Sequence, residues 1–599
     1  MSAIAKSAYL LKRVLQAVVP LAALTTICFG SVSVTLTPSV ASGAMVGTPV
    51  TWTARATDSA NAGATFSYQF LTSNGGGAWQ VRKDWYNSNT FPWTPTFSEG
   101  PVTIQVNVRS STGATGFAQA PFNVTSRITG STPVVSSTNH PLVALYSMPP
   151  CPSGQTARVR YKMLSEGIWK ATLAKNCLGN KSLNFYIAGM RANSNYQMQQ
   201  DVFNGPFSTQ GPIVWFTTGA VPSGAVAPPY SISKPMTGPN STSFPVLLTA
   251  AIGGTPYAID AQGQVIWYLP KQAQTFGTFT RILPGGDLYT YTSDYAGRAT
   301  SLFREYDLAG NIVRETNYAA ISQRIVARGG DPIFSVHHEA IQLPNGWIAL
   351  FGHTEKVADQ GKGPVDVLGD QVVVIDTNFN VKWVWNEFDH LDISRPAILG
   401  ETCVPNGPGC PPTLQGGYKV GDDWTHSNSI FPSPDGNLIV SIRHQDWIVK
   451  IRYANGTGDG AILWRFGKDG DFTTSASDPF PWPSHQHDAE YTPSGLMTLF
   501  DNGNTRVQTY GGHSRGQEWQ LDEVHHVATR VVNADLGAFS LATGSTKLLP
   551  GGYFLFNLGF VGTSTQIKEM NALGETQSQV NYASPSYRSF RLRSMYTGE

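Results

Sequence analysis

The sequence has little charge. Charged residues make up 14% of the chain, the formal net charge is +1, and lysine and arginine never form an extended run. A nearly neutral protein has no long-range field that would select nucleic acid or an anionic membrane surface as a partner. The composition therefore predicts no nucleic-acid binding and no stable membrane association.

The sequence also lacks the short motifs that hold common cofactors. It contains neither a Walker loop nor a glycine fingerprint for nucleotides, and no cysteine or histidine stands at zinc spacing from the cysteine pair 403/410. We therefore expect no cofactor and no metal.

Cysteine is scarce, with five in the chain. Cys28 lies in an apolar N-terminal run, and the other four form two local pairs, Cys151 with Cys177 and Cys403 with Cys410. Local pairs of this kind are typical of an oxidising compartment, so two disulfides are predicted. Four unpaired thiols are the alternative.

The N-terminus carries an export signal. Lys6, Lys12 and Arg13 precede the apolar run "VLQAVVPLAALTTICFG", which Pro20 interrupts and small residues follow. This order is typical of a secretory signal peptide, which we place at residues 1–33, so the protein is expected in the periplasm or outside the cell. A retained N-terminal membrane anchor is the alternative.

Glycine (60), proline (39) and aromatic residues (11%) are abundant, a mixture that suits short strands and tight turns. An all-β fold is predicted. We predict that residues 34–130 form an immunoglobulin-like sandwich, because they contain alternating stretches such as "TPVTWTARATD" and "PVTIQVNVRS". Residues 131–220 are predicted to form a second, fibronectin-like sandwich.

A repeat fills the rest of the chain. A Leu-Pro-x-Gly turn between apolar strands occurs in "RILPGGDLYTY", "IQLPNGWIALF", "EYTPSGLMTLF" and "KLLPGGYFLFN", with a degenerate copy in "FPSPDGNLIVS". Four strands per repeat predict the blades of a propeller, since one such unit cannot bury both faces of its sheet alone. We predict six blades over residues 225–599, with an insertion between Asn386 and Asp422.

Histidines precede three consecutive turns. The pairs are His338 with Glu339, His426 with Asn428, and His487 with Asp488. Equivalent positions in a ring converge on its axis, so these residues are expected at one mouth of the channel. Arg443 and His444 follow the second of these hairpins and could reach the same mouth, while Arg281 and Lys547 occupy comparable places in two further blades.

Such a set could hold zinc or copper, but Arg443 would repel a cation. Arginine, histidine and asparagine together favour an anion, and a further neutral histidine could act as a nucleophile toward it. Each histidine–carboxylate pair could instead be a structural bracket between blades.

Four motifs carry a family resemblance: "HHEAIQLPNG", "DDWTHSNSI", "SIRHQ" and "HQHDAEYTPSGLMTLFDNGNTR". Together they resemble the bacterial arylsulfotransferases that work without a nucleotide sulfate donor. The resemblance implies that a sulfuryl group passes from a phenolic sulfate ester to a histidine and then to an acceptor phenol, by a ping-pong route. It covers roughly residues 240–560.

The resemblance also assigns roles. His487 would be the sulfated nucleophile, and Asp488 or a backbone carbonyl could orient it. The groups implied to bind the sulfuryl oxygens and manage the phenol proton are His338, His426, Asn428 and Arg443, with His444 nearby.

Two other functions are compatible with the sequence. One is a secreted propeller that only binds carbohydrate or protein, and the other is a quinone- or metal-dependent dehydrogenase on a similar ring. A homo-oligomer is possible.

Overall fold

The computed structural model describes residues 32–598, apart from 98, 227–228, 271–275, 294–300, 408–409 and 412. The described chain is almost entirely β-structure with a few short helices, which confirms the predicted all-β class. Residues 1–31 of the predicted signal peptide lie outside the described residues. The first strand begins at Val32, two residues before the predicted boundary.

The first seven strands form two sheets, β1-β2-β5 and β4-β3-β6-β7. Alternating apolar residues from both sheets meet in one core that includes Trp52, Phe70, Phe91 and Val106. The strands are β1 (Val32–Pro38), β2 (Val50–Asp58), β3 (Phe66–Asn74), β4 (Gln80–Tyr86), β5 (Thr90–Trp93), β6 (Gly100–Ser110) and β7 (Thr115–Val124).

Nine further strands form a second pair of sheets. One sheet has the order β13-β9-β8, and the other is built on β10 and β14. The strands are β8 (Val134–Ser137), β9 (Ala144–Met148), β10 (Thr156–Met163), β11 (Lys170–Ala171), β12 (Lys175–Asn176), β13 (Leu183–Ile187), β14 (Asn195–Asn204), β15 (Phe207–Gln210) and β16 (Val214–Thr217).

The remaining described chain contributes at least four strands to each of six sheets, one of which continues into β4-β3-β6-β7 as a single eight-stranded sheet. Its first part contains β17 (Tyr230–Lys234), α1 (Asn240–Ser243), β18 (Val246–Ala251), β19 (Tyr257–Ile259), β20 (Val265–Tyr268), β21 (Phe276–Ile282), β22 (Leu288–Ser293), β23 (Leu302–Tyr306), β24 (Ile312–Asn317) and α2 (Tyr318–Val326).

The middle part carries the predicted insertion. It contains β25 (Ser335–Gln342), β26 (Ile348–Asp359), β27 (Pro364–Ile375), β28 (Val381–Asn386), α3 (Glu387–His390), β29 (Thr402–Cys403), β30 (Gly421–Asp423), β31 (Ser427–Pro432), β32 (Leu438–Ile442), β33 (Trp447–Ile451) and β34 (Ile462–Gly467). The short strands β29 and β30 of the insertion extend the sheet of β27.

The last part contains β35 (His487–Tyr491), β36 (Met497–Asp501), α4 (Asn504–Tyr510), β37 (Arg515–Asp522), β38 (Val527–Asp535), β39 (Ser545–Leu549), β40 (Tyr553–Val561), β41 (Ser564–Asn571), β42 (Thr576–Tyr582) and β43 (Ser586–Leu592). The final strand, β43, pairs with β18 from the beginning of this region. The last strand of the chain therefore completes the sheet of β18, β19 and β20.

The six innermost strands contact one another in a closed order: β43, β21, β25, β31, β35, β39 and β43 again. Residues at equivalent places on these strands therefore face a common centre. The turns that end five of them place a glycine in the left-handed region, for example Gly346 at φ 81° and Gly495 at φ 83°, where a side chain would be strained.

Both predicted disulfides are confirmed. Cys151 and Cys177 are joined, with their Cα atoms 5.3 Å apart, and Cys403 and Cys410 are joined with Cα atoms 5.6 Å apart. Within the described part of the chain, every helix is too short or too polar to cross a bilayer.

The N-terminal sheets are attached to the six-sheet region. Strand β24 pairs in parallel with β4, Arg324 forms an ion pair with buried Asp84, and the Tyr596 hydroxyl accepts a hydrogen bond from the Ala188 backbone N–H at 2.8 Å. The contacts through β24 and Arg324 lie at the far end of their sheet from β21, whereas His338 and His487 lie on β25 and β35.

Candidate functional site

A β-bulge interrupts each of three neighbouring innermost strands. The bulged residues are His338 and Glu339 on β25, Asn428 on β31, and Asp488 and Ala489 on β35. His338 has φ 52° and Asp488 has φ 56°, a strained backbone that re-aims their side chains. Bulges of this kind are common beside active sites.

Asn428, rather than His426, occupies the place that corresponds to His338 and His487. All three stand six residues before their turn proline, whereas His426 stands two residues earlier. His426 instead corresponds to His485, and both have φ 51°. The predicted equivalence of His426 with the other two histidines is displaced by two residues, because the degenerate turn around Pro434 obscures the register.

Four imidazoles nevertheless lie close together. The rings of His338 and His426 have centroids 5.0 Å apart, those of His426 and His444 lie 4.7 Å apart, and His485 follows at 5.6 Å from His444. The Tyr587 ring lies 5.8 Å from His338. His338, His426, His444 and His485 thus form one contiguous group of rings.

His487 is buried and held in one tautomer. Its Nδ1 lies 2.7 Å from Asn502 Oδ1, while the Asn502 amide group donates to the carbonyls of Ser540 at 2.9 Å and Thr543 at 2.8 Å. Those two carbonyls fix the amide orientation, so Asn502 Oδ1 must accept a hydrogen bond from the His487 Nδ1–H. The lone pair of His487 is then on Nε2.

The surroundings keep His487 neutral. Burial lowers its pKa well below the usual value, and the positive charge of Arg443 lowers it further. A neutral imidazole with an unprotonated Nε2 is the nucleophilic form.

Arg443 is positioned by His444. The His444 Nδ1–H donates to the Asp423 backbone carbonyl at 2.6 Å, so Nε2 accepts from the Arg443 guanidinium. Burial lowers the pKa of His444 to about 3, which keeps this acceptor available. Among the described residues, the buried Nε of Arg443 has no hydrogen-bond partner. An unsatisfied cationic donor in this position can bind an anion.

His426, Asn428 and His338 each retain a polar atom for a ligand. Asp423 Oδ2 accepts from His426 Nδ1 at 2.8 Å, which leaves Nε2. Asn428 donates one N–H to the Gln486 carbonyl at 2.7 Å, which leaves the second. His338 Nδ1 lies 2.6 Å from His337 Nδ1, which again leaves Nε2.

A buried cluster of charges lies beneath these groups. Arg588 on β43 contacts Asp488 at 2.9 Å and Glu339 at 2.7 Å, and it donates to the Asn428 carbonyl at 3.1 Å. Arg281 binds both Glu339 oxygens, at 3.1 and 2.9 Å. Lys547 lies 3.1 Å from Asp488. This charge cluster ties together the three bulged strands.

The charge cluster keeps its carboxylates ionised. Burial alone would raise the pKa of Glu339, but Arg281 and Arg588 outweigh burial and the pKa lies below its usual value. Lys547 and Arg588 act in the same way on Asp488. Asp488 is thus engaged with cations, and the partner of His487 Nδ1 is Asn502.

Sequence reasoning missed Asn502, Tyr587 and Arg588. Asn502 stands in "LFDNGNTR", directly after β36, within the same quoted motif as His487, and that shared motif was a usable signal. Tyr587 and Arg588 lie on β43, which has no Leu-Pro-x-Gly turn of its own, so the repeat gave no indication of them.

Known proteins match the region that contains this site. The family model described as Arylsulfotransferase (ASST) matches residues 232–590. Arylsulfate sulfotransferase AssT of Escherichia coli O6:H1 is 25% identical over 314 residues, covering 45% of this chain and 50% of that protein. The protein of the same name from Lelliottia amnigena is 23% identical over 317 residues, with the same coverage. The chain spans about half the length of these curated relatives.

Among solved structures, a segment of two fibronectin type-III domains from chicken tenascin is 13% identical, covering 32% of this chain and 99% of that one. Its TM-score is 0.14, which is too low to support an argument.

Proposed function

The chain belongs to the arylsulfotransferase family, and from that premise we propose that it transfers a sulfuryl group from a phenolic sulfate ester to a phenolic acceptor through a sulfated His487. The observation that carries this proposal is the hydrogen bond from His487 Nδ1 to Asn502, which leaves an unprotonated Nε2 inside a pocket of donors.

The first half-reaction forms an N–S bond and breaks an S–O bond. The Nε2 lone pair of His487 attacks sulfur, and the phenolate leaves with the electrons of the S–O bond. Phenolates are good leaving groups because the ring delocalises their charge. His338 Nε2–H is our candidate to donate a hydrogen bond to the departing oxygen, which stabilises its negative charge.

The second half-reaction reverses these roles. The acceptor, having lost its proton to solvent, attacks sulfur with its phenolate oxygen, which again accepts a hydrogen bond from His338 Nε2–H; the N–S bond breaks and His487 leaves as a neutral imidazole. In both halves, charge on the sulfuryl oxygens would be stabilised by the Arg443 guanidinium and the free amide N–H of Asn428. His444 positions Arg443, and Asp423 orients the His426 ring at the edge of the same pocket.

The architecture and location are part of the proposal. The closed order of six inner strands supports a six-bladed propeller at about 225–599, preceded by sandwich domains at 34–130 and 131–220. The two disulfides support export to the periplasm or the cell exterior.

Incubation with 4-nitrophenyl sulfate tests the function directly. We expect a burst of about one nitrophenol per chain, and a mass gain of one sulfuryl group on the peptide that contains His487, because the covalent intermediate accumulates before an acceptor discharges it. Added phenol should remove the mass. Steady release without any modified peptide, or no release at all, would contradict the proposal.

Asn502→Leu should lower kcat by about 10²-fold with little change in KM, because the tautomer and direction of His487 are no longer fixed. Steady-state kinetics with 4-nitrophenyl sulfate measures this. Asn345→Ala, in an exposed turn on β25's hairpin, is the control and should behave as the parent protein. An unchanged kcat in the Asn502 variant would remove Asn502 from the mechanism.

A further inference from the structure

His485 stands two residues before the proposed nucleophile, and its side chain is completely buried. Both of its ring nitrogens face carboxylates. Nδ1 lies 2.8 Å from Asp446 Oδ1, and Nε2 contacts Glu401 Oε1. An ionised carboxylate can only accept hydrogen bonds, so each ring nitrogen must carry a proton for both contacts to form. His485 is therefore an imidazolium cation in this arrangement.

The electrostatics of the site agree with this protonation. Burial lowers the pKa of His485, but the hydrogen bonds to Asp446 and Glu401 outweigh burial, and the pKa lies above its usual value. Burial raises the pKa of Glu401, but the hydrogen bond from His485 outweighs burial there too, and the pKa falls to about 2. Glu401 is thus ionised over the whole range in which His485 titrates.

Asp446 joins His485 to the turn that carries the sulfuryl-binding arginine. That turn spans Arg443–Gln445, and Asp446 follows it with φ 53°. Asp446 Oδ1 also accepts from the His485 backbone N–H at 2.7 Å, and its Oδ2 accepts from Thr505 Oγ1 at 2.7 Å. Asp446 therefore fixes this turn against the segment that leads into β35.

Glu401 joins His485 to the insertion that follows β28. Its Oε2 accepts from the Leu399 backbone N–H at 3.1 Å, and its backbone carbonyl accepts from the Asp423 N–H at 3.1 Å. These bonds hold the Glu401 carboxylate at the end of the insertion, where it meets a histidine that belongs to a different sheet. His485 therefore connects the insertion to the segment that leads into β35.

His444 and Arg443 also face this arrangement. The His444 ring lies 5.6 Å from the His485 ring, and its Nε2 is 4.0 Å from Glu401 Oε1. Burial lowers the pKa of Arg443, and the negative charge of Glu401 opposes that shift. Glu401 is thus close enough to act on the guanidinium, while its carboxylate is bound to the imidazolium.

We propose that the His485 imidazolium is a positioning group for sulfuryl transfer, which keeps Glu401 from neutralising Arg443. It also ties the turn of Arg443 to the strand of His487, so that cation and nucleophile keep their relative places. Glu401, His485 and Asp446 are together called the imidazolium bridge. The inference rests on the proposed function, in which Arg443 binds the sulfuryl oxygens.

Loss of the His485 proton would break the imidazolium bridge. A neutral imidazole has one N–H, so it can donate to Asp446 or to Glu401 but not to both. A released Glu401 carboxylate would then compete with the sulfuryl oxygens for Arg443. Because the folded-state pKa of His485 is raised, the bridge is intact below about pH 6.5 and is lost as the pH rises through that folded-state pKa. Sulfuryl transfer should fall in the same range.

Glu401→Gln separates the bridge from other titrations. The new amide can donate to a neutral His485 Nε2 while its oxygen accepts from the Leu399 N–H, so the bridge no longer needs the His485 proton. Between about pH 6.5 and about pH 9.5, the burst rate of the parent with 4-nitrophenyl sulfate should fall by about tenfold or more, whereas that of Glu401→Gln should stay within about twofold. Stopped-flow absorbance at the isosbestic wavelength of nitrophenol measures both rates.

His485→Gln should lower kcat by about 10- to 10²-fold across this range with little change in KM, because its one nitrogen cannot reach both carboxylates. His513→Ala, which removes an exposed histidine paired with Asp535, is the matched control and should follow the parent profile. A parent burst rate that does not fall, an equal fall in Glu401→Gln, or parent-like kinetics of His485→Gln would each overturn the inference.

Urea unfolding tests the bridge without any activity. As the pH rises through the same range, the unfolding midpoint of the parent should fall relative to that of Glu401→Gln, because only the parent depends on the His485 proton. A constant difference between the two midpoints would contradict the bridge itself. If the midpoints behave as expected but no protein transfers sulfuryl groups, the bridge stands, and its role in transfer is refuted together with the proposed function.

Discussion

His487→Ala is expected to abolish the nitrophenol burst and the sulfuryl modification together. The nucleophile defines the route, so its loss removes both half-reactions rather than slowing one of them. Burial and the Asn502 hydrogen bond make this imidazole the group with a free, unprotonated Nε2 beside Arg443. Stopped-flow absorbance and intact mass after exposure to 4-nitrophenyl sulfate measure the two effects on one sample.

Arg443→Ala should slow the sulfuryl transfer without abolishing it, in contrast to His487→Ala. Loss of one preorganised donor typically lowers kcat by about 10²- to 10³-fold, so this variant should still acquire the sulfuryl group on the His487 peptide, but slowly. His513→Ala should retain the parent burst. A normal burst from the His487 variant would refute the nucleophile, and sulfation of a different peptide would reassign it.

Arg588→Met is expected to destabilise the fold by about 3–5 kcal/mol, because it leaves two buried carboxylates without a central cation. Arg588 contacts Asp488 and Glu339 and binds the Asn428 carbonyl, so one side chain from the last strand holds three bulged strands in place. Urea unfolding followed by tryptophan fluorescence measures the loss of free energy.

Arg593→Ala is the matched control for that experiment. Arg593 is exposed just beyond β43 and lies 4.8 Å from the Phe244 ring, so its replacement should cost no more than about 1 kcal/mol. Equal stability of the two variants would show that the charge cluster is not what secures the closing strand. Loss of activity without loss of stability in Arg588→Met would give Arg588 a direct role in the pocket.

Local chemistry determined what the sequence could predict. Leu-Pro-x-Gly turns need glycine at a left-handed backbone position, so the repeat and the all-β class follow from short-range signals. The cysteine pairs are close in the chain and were predicted correctly. His338, His487 and Arg443 stand at fixed offsets from these turns, and so they too could be selected from the sequence.

The tertiary structure alone decided the partners of those residues. Asn502 fixes the tautomer of His487, Arg588 neutralises Glu339 and Asp488, and Asp370 faces His337 across two strand pairings. Each of these contacts depends on register or on which strand closes the ring, and a one-residue shift would turn the side chain to the other face. The sequence by itself thus selected the proposed nucleophile, His487, and the turns around it. Strand pairing determined its protonation, because a proton's position depends on the atom that faces it.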